Sequence, residues 1–315
     1  MINDLNKICT VKEDVDLKDY NTFRLESKCM AMVFPDNFEG LIEIIEILKK
    51  HKASYFVIGN GSNIILPEYY DGVIINLSNF NKYEIKNDIL TADCGCMLNN
   101  LASKVTNLGY AGLDFATGIP GTIGGSIYGN AGCFGSSMSN VVESVTIFDG
   151  KEVKIIKNSD MKFGYRTSIL KESNNNWIIL SCTIKLTKGN KDELKALVLE
   201  RTNKRLATQD LKHPSNGSMF RNPEGYAAGK LIDDLGLKGY KIGDAMVSNI
   251  HANFIINDGH ATSKDIIKLV NKIKRDVKKT YNIDLVLEQE IIKWQFCHFF
   301  CKIKSYNKKI LLFDI

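Results

Sequence analysis

"GIPGTIGGSIYGNAGCFG", residues 118–135, places seven glycines in eighteen positions, interrupted by Ile119, Ile123, Ile127, Tyr128 and Phe134. A flexible linker carries Gly and Ser without such apolar side chains. This segment is built instead to hold a fixed, exposed backbone. Glycine lets a ligand approach closely or lets φ turn positive. Pro120 stiffens the first turn, and Ile123 and Ile127 anchor the loop in a core. Ser126 and Asn130 add side-chain hydrogen-bonding groups, and pyrophosphate is the commonest ligand of such a loop. The pattern GxxxxGK[ST] is absent, which removes the P-loop reading.

A second loop stands about sixty residues upstream. "VIGNGSNIIL" (57–66) begins with Gly59-x-Gly61, but Ile64 holds the third glycine position of the dinucleotide fingerprint. A strand-like run follows where that fingerprint has a helix. Gly59, Asn60, Gly61, Ser62 and Asn63 can still turn successive backbone N–H groups toward one point, an anion nest without Lys or Arg. Taken alone, the pattern reads better as an ordinary turn between strands.

The whole chain bounds these readings. With 315 residues, 44% hydrophobic and 24% charged, it can bury a sizeable core in two or three domains. No stretch approaches the roughly 18 consecutive apolar residues of a membrane span. The opening "MINDLNKICTVKEDVDLKDY" carries acids and no apolar core, so a secretory signal is not expected and a cytoplasmic location is. The eight cysteines are then expected as free thiols. Cys94-Gly-Cys96 is too tight for CxxC chemistry, and Cys297, His298 and Cys301 lack an evident fourth ligand, so no metal is expected. The net charge of +5 is scattered among acids. Without a basic stripe and interleaved aromatics, it favours anionic small molecules over nucleic acid.

Apolar periodicity gives a mixed reading. Leu41, Ile42, Ile45 and Leu48 predict a helix capped by Asp36 or Asn37, and "YFVIG" (55–59) and "GVIINL" (72–77) predict buried strands. "YEIKNDILTAD" (83–93) predicts a hairpin at Asn87-Asp88. Leu98, Leu101, Ala102, Val105 and Leu108 then define a helix face ended by Gly109. Another hairpin turns at Asp149-Gly150, and "WIILSCTIKLT" (177–187) is a long strand. Asn190 and Glu193 start a charged helix that runs to about Leu206. A strand at "NFIIN" (253–257), a helix on Ile266, Ile267, Val270, Ile273 and Val277, and a strand at "DLVLEQEII" (284–292) complete the pass. Strands and helices do not alternate regularly, which favours α+β lobes.

The two loops, in order with "YNTFRLES" (20–27), "FGYRTSIL" (163–170), "HPSNGSMFRNP" (213–223), "GYAAGKLIDDLGLKG" (225–239), "VSNIHANFIIN" (247–257) and "LEQEI" (287–291), resemble the UDP-N-acetylenolpyruvoylglucosamine reductase family. The resemblance covers roughly residues 15–293. It implies an α+β fold: a two-lobed FAD-binding domain of the vanillyl-alcohol-oxidase-like type and a C-terminal α+β substrate-binding domain. Boundaries of 1–75 and 76–200 for the lobes and 201–293 for the third domain are expected. The short link from Arg166 to Trp177 lacks the tyrosine-bearing loop of one branch, so the chain resembles the shorter, second type. Residues 294–315 extend past the usual end as an atypical tail.

The resemblance also implies a reaction: reduction of an enolpyruvyl ether, UDP-N-acetylglucosamine enolpyruvate, to UDP-N-acetylmuramate, with hydride from NADPH passing through FAD. Arg166, Ser218 and Glu290 match the family's catalytic positions. Arg166 would polarise the substrate carboxylate, Glu290 would assist, and Ser218 would protonate the enol. The FAD contacts would be Gly59 to Asn63, Gly118, Ile119, Pro120, Gly121, Gly124, Gly125, Ser126, Asn130, Ala131 and Gly132. Gln209, Arg221, Asn222 and Lys230 would meet the UDP-sugar, and His251 reads as a core histidine. A monomer without nucleic-acid partners or membrane insertion is expected. Two competitors are an alcohol or lactate oxidase of the same fold, opposed by the three motifs, and a dead nucleotide-binding module. The second would have lost one of the three residues, and all three are present.

Overall fold

The first lobe holds the short helix α1 (Ile2–Leu5) and strands β1 (Thr10–Asp16), β2 (Lys28–Phe34), β3 (Tyr55–Ile58), β4 (Ile64–Ile65) and β5 (Tyr69–Asn76). In the computed structural model, which describes residues 1–173 and 176–292, four of these form a sheet in the order β1-β2-β5-β3. β1 is antiparallel to β2, whereas β2, β5 and β3 run parallel. A parallel pair needs a crossover. Here it is α2 (Phe38–Lys50), capped by Asn37, whose side chain accepts from Gly40 N at 2.8 Å. α2 buries Leu41, Ile45 and Leu48, as the spacing predicts, but Ile44 takes the place expected for Ile42, which is only half-buried. Central β5 is buried as expected, but β3 is not: it is the sheet edge, and Val57 is 37% exposed.

The second lobe is an antiparallel sheet of Val153–Lys157, Val142–Phe148, Ile178–Lys185, β7 (Ile89–Asp93) and β6 (Tyr83–Lys86), in that order. The β6–β7 turn has positive φ at Asn87 and Asp88, the geometry that twists a two-residue hairpin correctly. Helices α3 (Leu98–Asn107) and α4 (Ile123–Tyr128) belong to this lobe. Leu108, assigned by spacing to the apolar face, is instead 64% exposed, because α3 ends at Asn107 and Gly109 turns the chain at φ +87. One hydrophobic core, from Leu5 to Leu186, runs through both lobes, and a separate cluster in the first lobe holds Leu17, Cys29, Met32 and Ile74.

The helix Lys191–Thr208, capped by Asn190, leads to a third unit. Its antiparallel strands Ser215–Ser218, Phe254–Asn257, Ala245–Val247 and Lys241–Ile242 form one sheet. The helix Ser263–Tyr281 buries Ile266, Val270, Ile273 and Val277 in a separate core. Residues 284–292 do not make the single strand their pattern suggests. Leu287 bridges Phe220 in the third unit, and Glu290–Ile291 then pairs in parallel with β4 of the first lobe. The segment changes partners midway, so no continuous ladder forms. The tail 294–315, with Cys297, His298 and Cys301, lies outside the described residues.

Candidate active site

A cleft of about 940 Å³ runs between the lobes and under the third unit. Its floor is the pair of glycine loops, and these are knitted together. Asn60 Nδ2 donates to Pro120 O at 2.7 Å, and a Cβ on Gly59 would fall 2.6 Å from Thr122 Oγ1. The first turn of α4 is spent internally: Ile123 N and Gly124 N donate to Cys96 O and Cys94 O at 2.8 Å, and Gly125 N to Thr122 Oγ1. The free donors lie in the other loop. Among the described residues, no backbone N–H of residues 60–63 donates to a protein acceptor. Four consecutive N–H groups without a protein acceptor at a cleft wall suit the anion nest that the sequence suggests.

Two further observations fit a dinucleotide pyrophosphate here. Ser126 Oγ is buried without a hydrogen-bond partner beside the same wall, and a buried hydroxyl left unpaired is costly unless a ligand completes it. An ideal Cβ on Gly125 would meet only Thr122 Oγ1, at 3.5 Å, so the protein leaves that space open. Gly59 to Asn63, Ile119, Pro120, Gly121, Gly124, Gly125, Ser126 and Ala131 all line the cleft.

Three expected contacts do not. Gly118 lies under the Arg205 guanidinium, and Gly132 lies against the Ser136–Ser137 backbone. Asn130 spends its side chain inside the protein, donating to Gly164 O at 2.8 Å and accepting from Ser139 N at 2.9 Å. Their residue types answer to protein neighbours. Gly61 is a mixed case: it lines the cleft, but at φ +62 its Cβ would overlap the Tyr20 carbonyl oxygen.

Arg166 and Glu290 converge on the cleft from remote parts of the chain. Arg166 adopts φ +59, donates from Nε to Glu288 Oε1 at 2.7 Å and from Nη2 to Gly132 O at 2.9 Å. Glu290 has Lys171 Nζ 2.8 Å from Oε1, an ion-pair distance at an angle too poor for a hydrogen bond, and receives Tyr128 OH at 3.5 Å on Oε2. Burial first, and Glu290 second, push the Tyr128 phenol up to about 12, so its hydroxyl stays a donor. Ser218 is not itself among the residues lining the cleft: it ends its strand one residue beyond Gly217, which is, and its carbonyl accepts from Gln289 Nε2 at 2.9 Å. Glu288, Lys171 and Tyr128 were not singled out from sequence. For Glu288 a signal existed: in "LEQEI", positions two apart share a strand face, and Glu288 and Glu290 do line the cleft while Gln289 is buried.

Of the expected sugar-nucleotide contacts, Gln209 lines the cleft with its Oε1 buried and unpartnered. Arg221 has a buried, unpartnered Nε and donates from Nη2 to Arg166 O at 3.4 Å. Asn222 accepts from Ala228 N at the start of the helix Ala228–Asp234, and Lys230, 74% exposed, pairs with Asp234. The structure brings none of Arg221, Asn222 and Lys230 to the cleft lining. His251 is half-buried, not in the core, but is satisfied within the protein as expected: Nδ1 accepts from Asn253 N, the ring stacks obliquely on Phe254, and burial lowers its pKa. Cys94 lines the cleft too, but burial pushes its thiol up to about 12, so it is no nucleophile.

A two-lobed half with unpaired loop N–H groups, closed by a third unit that brings a carboxylate to the same cleft, fits an FAD-dependent oxidoreductase. Comparison with known proteins places it further. Residues 30–156 match the FAD binding domain family and residues 209–292 match the family described as UDP-N-acetylenolpyruvoylglucosamine reductase, C-terminal domain. The chain is 39% identical over 278 residues to the UDP-N-acetylenolpyruvoylglucosamine reductase of Caldanaerobacter subterraneus subsp. tengcongensis, covering 88% of this chain and 91% of that protein. It is 37% identical over 283 residues to the Clostridium beijerinckii enzyme of that name, covering 89% and 92%. The crystal structure of the Thermus caldophilus reductase superposes with a TM-score of 0.77 at 33% identity, over 91% of this chain and 100% of that one. The chain belongs to the UDP-N-acetylenolpyruvoylglucosamine reductase family. Its fold is the expected α+β arrangement of a two-lobed FAD-binding half and a C-terminal domain.

Proposed function

We propose that this protein reduces UDP-N-acetylglucosamine enolpyruvate to UDP-N-acetylmuramate with NADPH, as a cytoplasmic monomer, its lobes and third domain dividing near residues 75 and 200. The observation that carries this reading is the convergence of Arg166 and Glu290 on the cleft that also holds the 60–63 nest. FAD supplies temporary storage of a hydride between two nucleotides that use the site in turn. The chain's own residues do the rest.

The 60–63 N–H groups and Ser126 hold the pyrophosphate. Arg166, fixed at Nε and at one Nη2 hydrogen by Glu288 and Gly132, keeps its remaining N–H groups for the substrate carboxylate. Negative charge grows on that carboxylate as hydride arrives at the terminal carbon, and a preoriented guanidinium meets it without reorganising. Ser218 delivers the proton to the adjacent carbon. Gln209, in the cleft lining, and Arg221, outside it, each keep an unpartnered buried polar atom and would meet the sugar nucleotide.

The test separates two half-reactions. Purified protein should be yellow, bleach with NADPH and regain colour with the enolpyruvyl nucleotide. Ser218→Ala should leave bleaching nearly intact and slow recolouring by at least ~10²-fold, the low end for loss of a positioned acid. Equal slowing of both steps, or of neither, removes Ser218 from the mechanism.

A further inference from the structure

Two cation–carboxylate pairs cross the cleft in register. Arg166 and Lys171 lie five residues apart at one turn of the second lobe, and Glu288 and Glu290 lie two apart on the closing segment. The first pair belongs to the reading above. In the second, Glu290 is the expected assistant to Arg166, and Lys171 has no assigned part. Lys171 lines the cleft from the short helix Ile169–Glu172, with its side chain only 15% exposed and its ammonium 5.9 Å from the centre of the Tyr128 ring.

Glu290 Oε1 is fully buried and makes no hydrogen bond, so the Lys171 charge is its compensation among the described residues. Burying a carboxylate oxygen without a hydrogen bond or countercharge is costly. Tyr128 restrains the other oxygen from the same lobe. Glu290 itself is carried by a strand that pairs with the first lobe. Its carboxylate is therefore aimed by Lys171 and Tyr128, not by its own backbone.

Resting on the proposed reaction, we infer that Lys171 is a positioning residue that acts through Glu290, aiming its carboxylate at the reacting end of the cleft. A merely structural ion pair would pin the closing segment and affect both half-reactions through flavin retention. A positioning residue affects only the step in which Glu290 takes part.

The experiment is a double-mutant cycle on holoenzyme, read by stopped-flow flavin absorbance with NADPH and then with the enolpyruvyl nucleotide. Lys171→Met should slow recolouring by a factor within the roughly 2- to 150-fold range of coupled neighbours, leaving flavin content and bleaching unchanged. Lys171→Arg, which keeps the charge, should recover most of that loss. In a Glu290→Gln background, Lys171→Met should slow recolouring no further. Equal slowing in both backgrounds would overturn action through Glu290 while leaving the proposed reaction standing. Loss of flavin, or equal slowing of both half-reactions, would make the pair structural. If Glu290→Gln alone leaves recolouring unchanged, the role of Glu290 in the proposed reaction fails, and that of Lys171 with it.

Discussion

Adding one methyl group at Gly125 should stabilise the flavin-free protein and weaken its hold on FAD. Gly125 is the third residue of α4, in a helical conformation, and an ideal Cβ there meets only Thr122 Oγ1 at 3.5 Å, ordinary contact. Replacing such a glycine with alanine removes an entropic penalty of about 0.5–1 kcal/mol. For a chain of this size that raises the apo melting temperature by roughly 2 °C. The same methyl occupies cleft space at the pyrophosphate cradle, where overpacking costs about 1–3 kcal/mol. FAD affinity should fall roughly 5- to 150-fold. Gly61 sets the contrast. At φ +62 its Cβ would overlap the Tyr20 carbonyl, so Gly61→Ala must displace backbone and should lower the apo melting temperature. Flavin-fluorescence titration of apoprotein gives Kd, and thermal melts of the same samples give stability. If Gly125→Ala binds FAD within twofold of wild type, the cradle does not lie at α4 and the argument is wrong.

Glu288→Ala should cut kcat/KM by about 10²-fold, because the Arg166 guanidinium loses the partner that fixes its Nε and misplaced groups cost that much. Glu288→Gln, which keeps an oxygen at that position, should retain most of the activity in steady-state assays; equal losses in the two variants would show that orientation is not what Glu288 supplies. Cys94 should resist iodoacetamide at pH 8 in the native protein, since burial holds its thiol near 12 and little thiolate exists. Peptide mass spectrometry checks this, and labelling as fast as in urea-unfolded chain would contradict it.

Local patterns were readable wherever a residue's neighbours in sequence determine its conformation. Asn87-Asp88 turned as a hairpin, Asn37 capped α2, and the 263–281 helix buried its apolar stripe. The glycine-rich stretch was readable as a site but not residue by residue. Sequence reports that a position lacks a side chain, not what would strike one. Gly118 and Gly132 answer to Arg205 and to the Ser136–Ser137 backbone, and Gly125 faces open space. The convergence of Arg166 with Glu290 came from resemblance to a family, because no spacing rule joins positions so far apart. Lys171 left no signal at all, since its meaning depends on a carboxylate delivered by another part of the fold.

Residues 284–292 explain why this site belongs to no one domain. Leu287 bridges Phe220 of the third unit, and Gln289 is buried, donating to Asn216 O and Ser218 O beside the proposed acid. Glu290 N donates to Asn63 O at the end of the nest, and Asn63 Nδ2 returns a bond to Glu288 O. Glu288 and Glu290 then reach to Arg166 and Lys171 of the second lobe. One short segment thus contacts all three units, and alternate side chains face opposite ways: acids into the cleft, glutamine into the third unit. A shift of one residue in its register would exchange those faces, burying an acid against Asn216 and turning Gln289 to Arg166. The carboxylates, the strand of the proposed proton donor and the loop of the nest are therefore tied together through this one segment.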